Sequence, residues 1–236
     1  MTPEQISIRM AAINAYAPIQ GDGVWWFNKV YLQSRLNVLA YQGFSNPNYI
    51  RQLDVAFARR WLIAYDAAFS NPHNIPTCWR PLFINRDNPR ILPIQFVVAG
   101  LIAHIFRDLT LANFEITNWF EAIPNKLFLT AKWRDYEKVN GVLTNTMTTQ
   151  VLPELRDEYD SEIIEAINFI IEPFLATTGA VSIAGSRLDA WDRGMTMRLT
   201  HPFLGSFGGT VQDNIYSAEA AALAKVILAP ILAPIP

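Results

Sequence analysis

The stretch from Ile91 to Phe106 (ILPIQFVVAGLIAHIF) contains no charged residue, and this feature restricts the folds open to the chain more than any other. It falls short of the roughly 20 apolar residues that a bilayer-spanning helix needs. Pro93, Gln95 and His104 also interrupt it. A helix with no polar face has to be covered on every side. The remainder of the chain must therefore supply a shell around it.

That remainder reads as helix after helix. Thr2-Pro3-Glu4 combines a capping hydroxyl, a proline at the first position and an acid in the first turn, opening a helix that runs to about Tyr16. Gly21-Asp22-Gly23 is a turn in which Asp22 can cap a helix from Val24 to Tyr41, stopped near Gly43. Asn46-Pro47 opens a third helix that reaches Phe69. Prolines 72, 76, 81 and 89 break residues 70–92, leaving one short helix over 81–85. The central helix is expected over Leu92 to Phe120, with another starting at Pro124. Ala131 to Tyr159 continues helical with a break at Pro153, followed by helices over Ser161 to Ala176 and Val181 to Leu199. Residues 206–210 (SFGGT) form a glycine-bearing loop, and Ser217 caps a last helix. No run alternates with period two, and a short hairpin near Phe203 to Val211 is the one alternative. The expected fold is all-α: a single domain over 1–236, a bundle of about eight helices around a central apolar helix.

Charge excludes some functions. Charged residues are 17% of the chain, the net charge is −2, and no basic stripe lies along any expected helix. Electrostatic binding to nucleic acid is not expected. Cys78 is the one cysteine, so the chain has no intrachain disulfide and no multi-cysteine metal site. Met1 to Tyr16 lacks the basic start and apolar run of a signal peptide, and prolines break the apolar tail from Val226 to Pro236. A cytoplasmic protein without a membrane span is expected. The shortage of charge fits fully covered helices, a homodimer interface or an apolar cavity.

His104 and Asp108 carry the most specific chemical signal. Four residues apart on a helix, they share one face, so the carboxylate can orient the imidazole and fix its tautomer. In apolar surroundings such a pair serves as general acid or base. A buried hydrogen bond between two otherwise unsatisfied groups is the structural alternative. No cofactor is expected. A mixed His–carboxylate metal site would have to draw further ligands from His73, His201, Asp22, Asp54, Glu115 or Asp135, and no H-E-x-x-H spacing exists. Asp54, Asp66, Asp135, Asn140, Arg187 and Asp192 lie among apolar neighbours and could complete an interior polar cluster, with Arg187 as counter-charge to a carboxylate. Trp26 and Tyr31 on the second helix, Trp61 on the third, and Trp191 beside Arg187 could wall an apolar small-molecule pocket. Asp22, Trp26, Tyr31, Asp54, Trp61, Arg187 and Trp191 are thus the candidate substrate-binding residues. Walker, Rossmann and G-x-S-x-G signatures are absent.

Residues 21–32 (GDGVWWFNKVYL) resemble a G-D-G-x-x-W-F-N-x-x-Y-L segment, and residues 103–109 (AHIFRDL) resemble the later part of an N-A-H-I-N-x-D-L segment. Both segments are similar to those of an uncharacterised bacterial family of helical proteins, a domain of unknown function. Residues 135–140 (DYEKVN) and 187–191 (RLDAW) also resemble its later motifs. Ile102 and Phe106 stand where the family pattern has asparagines, a change toward a more apolar pocket. The resemblance implies a helical fold and brings no activity. The expected function is an enzyme acting on a small, mostly apolar molecule, such as a cyclase or lyase of secondary metabolism. The alternatives are a carrier for an apolar ligand and a structural, oligomerising protein.

Overall fold

The computed structural model describes residues 1–156, 164–165, 168–170, 172–173 and 182–230. Among them every regular element is helical. Helix α1 spans Pro3–Asn14, with the Thr2 hydroxyl accepting from Gln5 N–H while the Gln5 side chain returns to Thr2 N–H at 2.8 Å. Helix α2 spans Gly23–Ala40, and Asp22 caps it through Trp25 N–H at 2.8 Å. Helix α3 spans Pro47–Ser70 behind an Asn46 cap. Two single 3₁₀ turns lead into the short α4, Arg80–Asn85.

The apolar run forms α5, Pro93–Ala103. At His104 the helix widens into a π turn, His104–Leu109, and then continues as α6, Thr110–Ile116. Pro93–Ile116 is apolar and long enough to cross a membrane by composition alone, but 83% of its most apolar window is buried inside the protein. Its one early polar residue is paid for locally: Gln95 holds Leu92 N–H through Oε1, and its amide donates to the carbonyls of Ile227 and Ala229 at 2.6 and 2.8 Å. After α6 come α7 (Trp119–Lys126), α8 (Ala131–Thr146), a second π turn (Met147–Val151) and α9 (Leu152–Arg156). The last described helix, α10, spans Ile183–Ile227 and packs along α5, the π turn, α6 and α7.

The central helix is held very close to α2. A Cβ placed on Gly100 would lie 2.2 Å from the Phe27 ring, and one on Gly23 would lie 2.3 Å from Phe96. Two aromatic nests fill the rest of the core. Phe27, Trp61 and Trp79 meet edge-on or tilted at 4.7–5.1 Å between ring centres. Tyr136 and Trp191 do the same at 4.7 Å, with Trp133 beside them.

Several boundaries differ from expectation. The central helix ends at Ile116, because Asn118 caps a new helix through Glu121 N–H and Glu121 bonds back. Pro124 therefore lies inside α7 rather than starting it. Pro153 stands at the start of α9, and residues 157–160 lie outside the described residues. The helix expected over 161–176 falls largely outside them as well. The loop at 206–210, the Ser217 cap and the alternative hairpin are all replaced by helix. Glycine favours a loop there, but the one departure from helical geometry within α10 is at Gly205, whose φ of 54° kinks it. That conformation is open to glycine and strained for other residues.

Candidate functional site

The π turn concentrates polar groups inside the core. His104 and Asp108 are both fully covered, as are Ile105 and Leu109 to within 3%. The His104 Nδ1 to Asp108 Oδ2 distance is 3.0 Å. The same carboxylate oxygen accepts from Trp79 Nε1 at 3.0 Å, and Oδ1 accepts from Arg107 Nη1 at 2.8 Å. Arg107 also grips Asp213 on α10 through Nε and Nη2, at 2.6 and 2.9 Å. Burial pushes the Asp108 carboxyl up. The His104 hydrogen bond and the Arg107 charge outweigh it and hold its pKa below the ordinary value. An ionised carboxylate only accepts, so Nδ1 carries the proton and Nε2 carries the lone pair.

The imidazole lies in an aromatic box. Phe57 stacks on it at 3.5 Å and 10°, and Tyr31 meets its edge at 4.4 Å. Burial lowers the His104 pKa, the Asp108 contacts oppose this, and the net direction is down. The ring is therefore neutral at neutral pH. Its Nε2 has no hydrogen-bond partner, nor has the Tyr31 hydroxyl.

His104 and Tyr31 line a partly open cavity of about 70 Å³, together with Ser34, Phe57 and Leu101. The Arg35–Asp54 pair closes one wall. It is bidentate at 2.7 and 2.6 Å, and both side chains are less than a tenth exposed. Arg187 lines the cavity as well. Its Nε donates to Asn140 Oδ1 at 2.7 Å and its Nη2 to the Tyr136 carbonyl at 3.0 Å, with the Tyr136 ring 4.2 Å from the guanidinium carbon.

Of the candidate binding residues, the cavity thus brings together Tyr31, Asp54 and Arg187 with His104. The others are occupied elsewhere. Asp22 caps α2. Trp26 lies beneath the Lys29 ammonium. Trp61 donates to Asn28 at 2.8 Å and Trp191 to the Asn125 carbonyl at 3.0 Å. The broader polar cluster does not assemble either. Asp66 pairs with Arg9, Asp192 with Lys126, and Asp135 accepts from Ser45 and Asn46 N–H and from Lys138. Arg187 takes neutral acceptors where a carboxylate was expected. Among the described residues no group of three or more potential metal ligands forms.

Sequence reasoning missed Arg35, Phe57, Trp79, Arg107 and Asp213. Two carried a readable signal. Arg35 is one turn beyond Tyr31 on α2, and Phe57 extends the Trp61-Tyr65-Phe69 stripe back by one turn. Asp213 is 106 residues from its partner Arg107, and nothing local marks it.

Fold and site together define an all-helical domain built around a buried, carboxylate-held histidine that faces a small apolar cavity. Residues 4–230 match a family of unknown function, DUF5995, and the chain belongs to that family. No curated protein and no solved structure matches the chain.

Proposed function

We propose that the protein is an enzyme acting on a small, mostly apolar molecule, with His104 as general base and Asp108 as the residue that positions it. One observation carries this reading: Nε2 of a fully buried imidazole has no partner, while Nδ1 is held by an ionised carboxylate. A histidine kept only for structure would be expected to have both ring nitrogens satisfied. Here the atom that satisfies Nε2 has to come from the cavity. Asp108 stabilises the imidazolium that forms when the base takes a proton, Arg107 helps to keep Asp108 ionised, and Trp79 donates to the same carboxylate.

The volume of the cavity favours a small substrate. About 70 Å³ is less than half of the ~150 Å³ apolar cavity that takes up benzene. That favours proton abstraction from a molecule of a few heavy atoms, as in a lyase or isomerase, over cyclisation of a long chain. A secondary-metabolic role in a bacterial cytoplasm is part of the same proposal, resting on the family resemblance and the chain's composition. A carrier without chemistry is the second reading, favoured by the apolar lining. It would need the cavity but not the Nε2 lone pair.

The test separates the two. H104N keeps an N–H near the Nδ1 position for Asp108 and deletes the base. Wild type in D₂O should exchange the α-protons of small ketones such as butanone faster than buffer, read by proton NMR, and folded H104N should not. Equal exchange by both proteins would rule out His104 as the base.

A further inference from the structure

We infer that the molecule bound in this cavity carries a single carboxylate, anchored by Arg187 while its apolar body lies against His104. The inference rests on the proposed site and names its substrate class. Burying a cation without a counter-charge costs several kcal/mol unless other contacts offset it. The cavity's other arginine is already matched: Arg35 is held by Asp54. Arg187 is not. It is 3% exposed, and among the described residues no carboxylate reaches it. Its hydrogen bonds go to an amide oxygen and a backbone carbonyl, which leaves the guanidinium charge intact and Nη1 without an acceptor among those residues.

One hydroxyl completes the setting. Tyr31 lines the same cavity, is buried, and its hydroxyl has no partner. A carboxylate accepts several hydrogen bonds and matches the planar fork of arginine. It would supply the missing negative charge and accept from the unpartnered Tyr31 hydroxyl. Asp54 does not repel it, because Arg35 already holds both of that residue's oxygens. With so little volume, the apolar remainder is short: two to four carbons fit the space better than a longer chain.

Propionate and its neutral isostere propionamide are the probes, titrated into the full chain by calorimetry and followed by thermal shift. Propionate should bind and raise Tm, and propionamide should bind at least tenfold more weakly. R187M should weaken propionate on the order of 100-fold, the span expected when a charged hydrogen-bonding partner is removed. R187K, which keeps the charge and loses the fork, should fall between and guards against a misfolded R187M. Propionate binding that R187M and R187K leave unchanged, or no preference for propionate over propionamide, would overturn the carboxylate anchor. Propionate binding with no His104-dependent exchange would sink the general base and leave the anchor standing.

Discussion

Replacing Asp108 with asparagine keeps the shape and removes the charge, and the structure sets the cost. The carboxylate accepts from three donors: His104 Nδ1, Trp79 Nε1 and Arg107 Nη1. An amide offers one acceptor oxygen and one donor group. If the oxygen takes the Oδ2 position, the NH₂ faces the Arg107 guanidinium. If it takes the Oδ1 position, the NH₂ faces the Trp79 N–H, and His104 must move its proton to Nε2. Either orientation sets donor against donor where water does not reach. Breaking a buried ion pair on one side costs about 3–5 kcal/mol.

For a chain of this size, 1 kcal/mol shifts Tm by roughly 2–4 °C, so D108N should melt roughly 6–20 °C below wild type at pH 7. Urea unfolding followed by far-UV circular dichroism gives the free energy directly. Nitrogen-15 NMR of histidine reports the tautomer. Wild type should show a protonated Nδ1 and a bare Nε2, and D108N should lose that bias. A loss below about 1 kcal/mol, with the tautomer unchanged, would refute the claim that an ionised Asp108 holds the imidazole.

The pH dependence follows from the same pair. His104 has its folded pKa below the ordinary 6.5, so the unfolded chain binds the extra proton first and stability falls as pH drops below that value. Asp108 has its pKa below 3.8, so its contribution is present above that value and is lost at still lower pH. Urea midpoints in H104N should lose the upper limb of this decline and keep the lower one. G100A should cost about 1–3 kcal/mol, since the Phe27 ring it strikes is itself fixed against Trp61 and Trp79, and unchanged stability would mean that α2 and α5 can part. R35M should cost about 3–5 kcal/mol by stranding the Asp54 carboxylate, and R35M/D54L should recover most of that loss; a double variant as unstable as the single would show that the pair's own attraction dominates.

The legible parts of the fold were those written locally. Thr2, Asp22 and Asn46 cap the helices that their side chains announce, and the uncharged run from Ile91 lies at the centre because it has no face to give to water. Punctuation failed where tertiary packing overrode propensity. Gly208 and Gly209 stay helical within α10, and Pro124 is accommodated inside α7. The site followed the same division. His104 and Asp108 declare themselves by spacing on one helix, Asp54 and Arg187 by being polar among apolar neighbours, and Tyr31 as an aromatic wall. Trp26 and Trp61 have the same look in the sequence, yet their rings pack elsewhere. Which aromatic stripe faces the histidine depends on helix rotation, and local pattern does not encode that.

Arg107 and Asp213 show why the π turn belongs to the site rather than merely beside it. Arg107, with its side chain 14% exposed, is the one residue of that turn that is not buried, and it spans from α10 to the carboxylate behind His104. A regular helix spaces its groups by 3.6 residues, whereas a π turn takes in an extra residue and redirects those after it. Here the result is that adjacent residues 107 and 108 serve one network, Arg107 reaching outward to Asp213 and Asp108 turned in on the imidazole. The carboxylate that holds the imidazole is thus itself held from two helices at once. Three consecutive polar contacts, Asp213 to Arg107, Arg107 to Asp108 and Asp108 to His104, connect α10 to the imidazole.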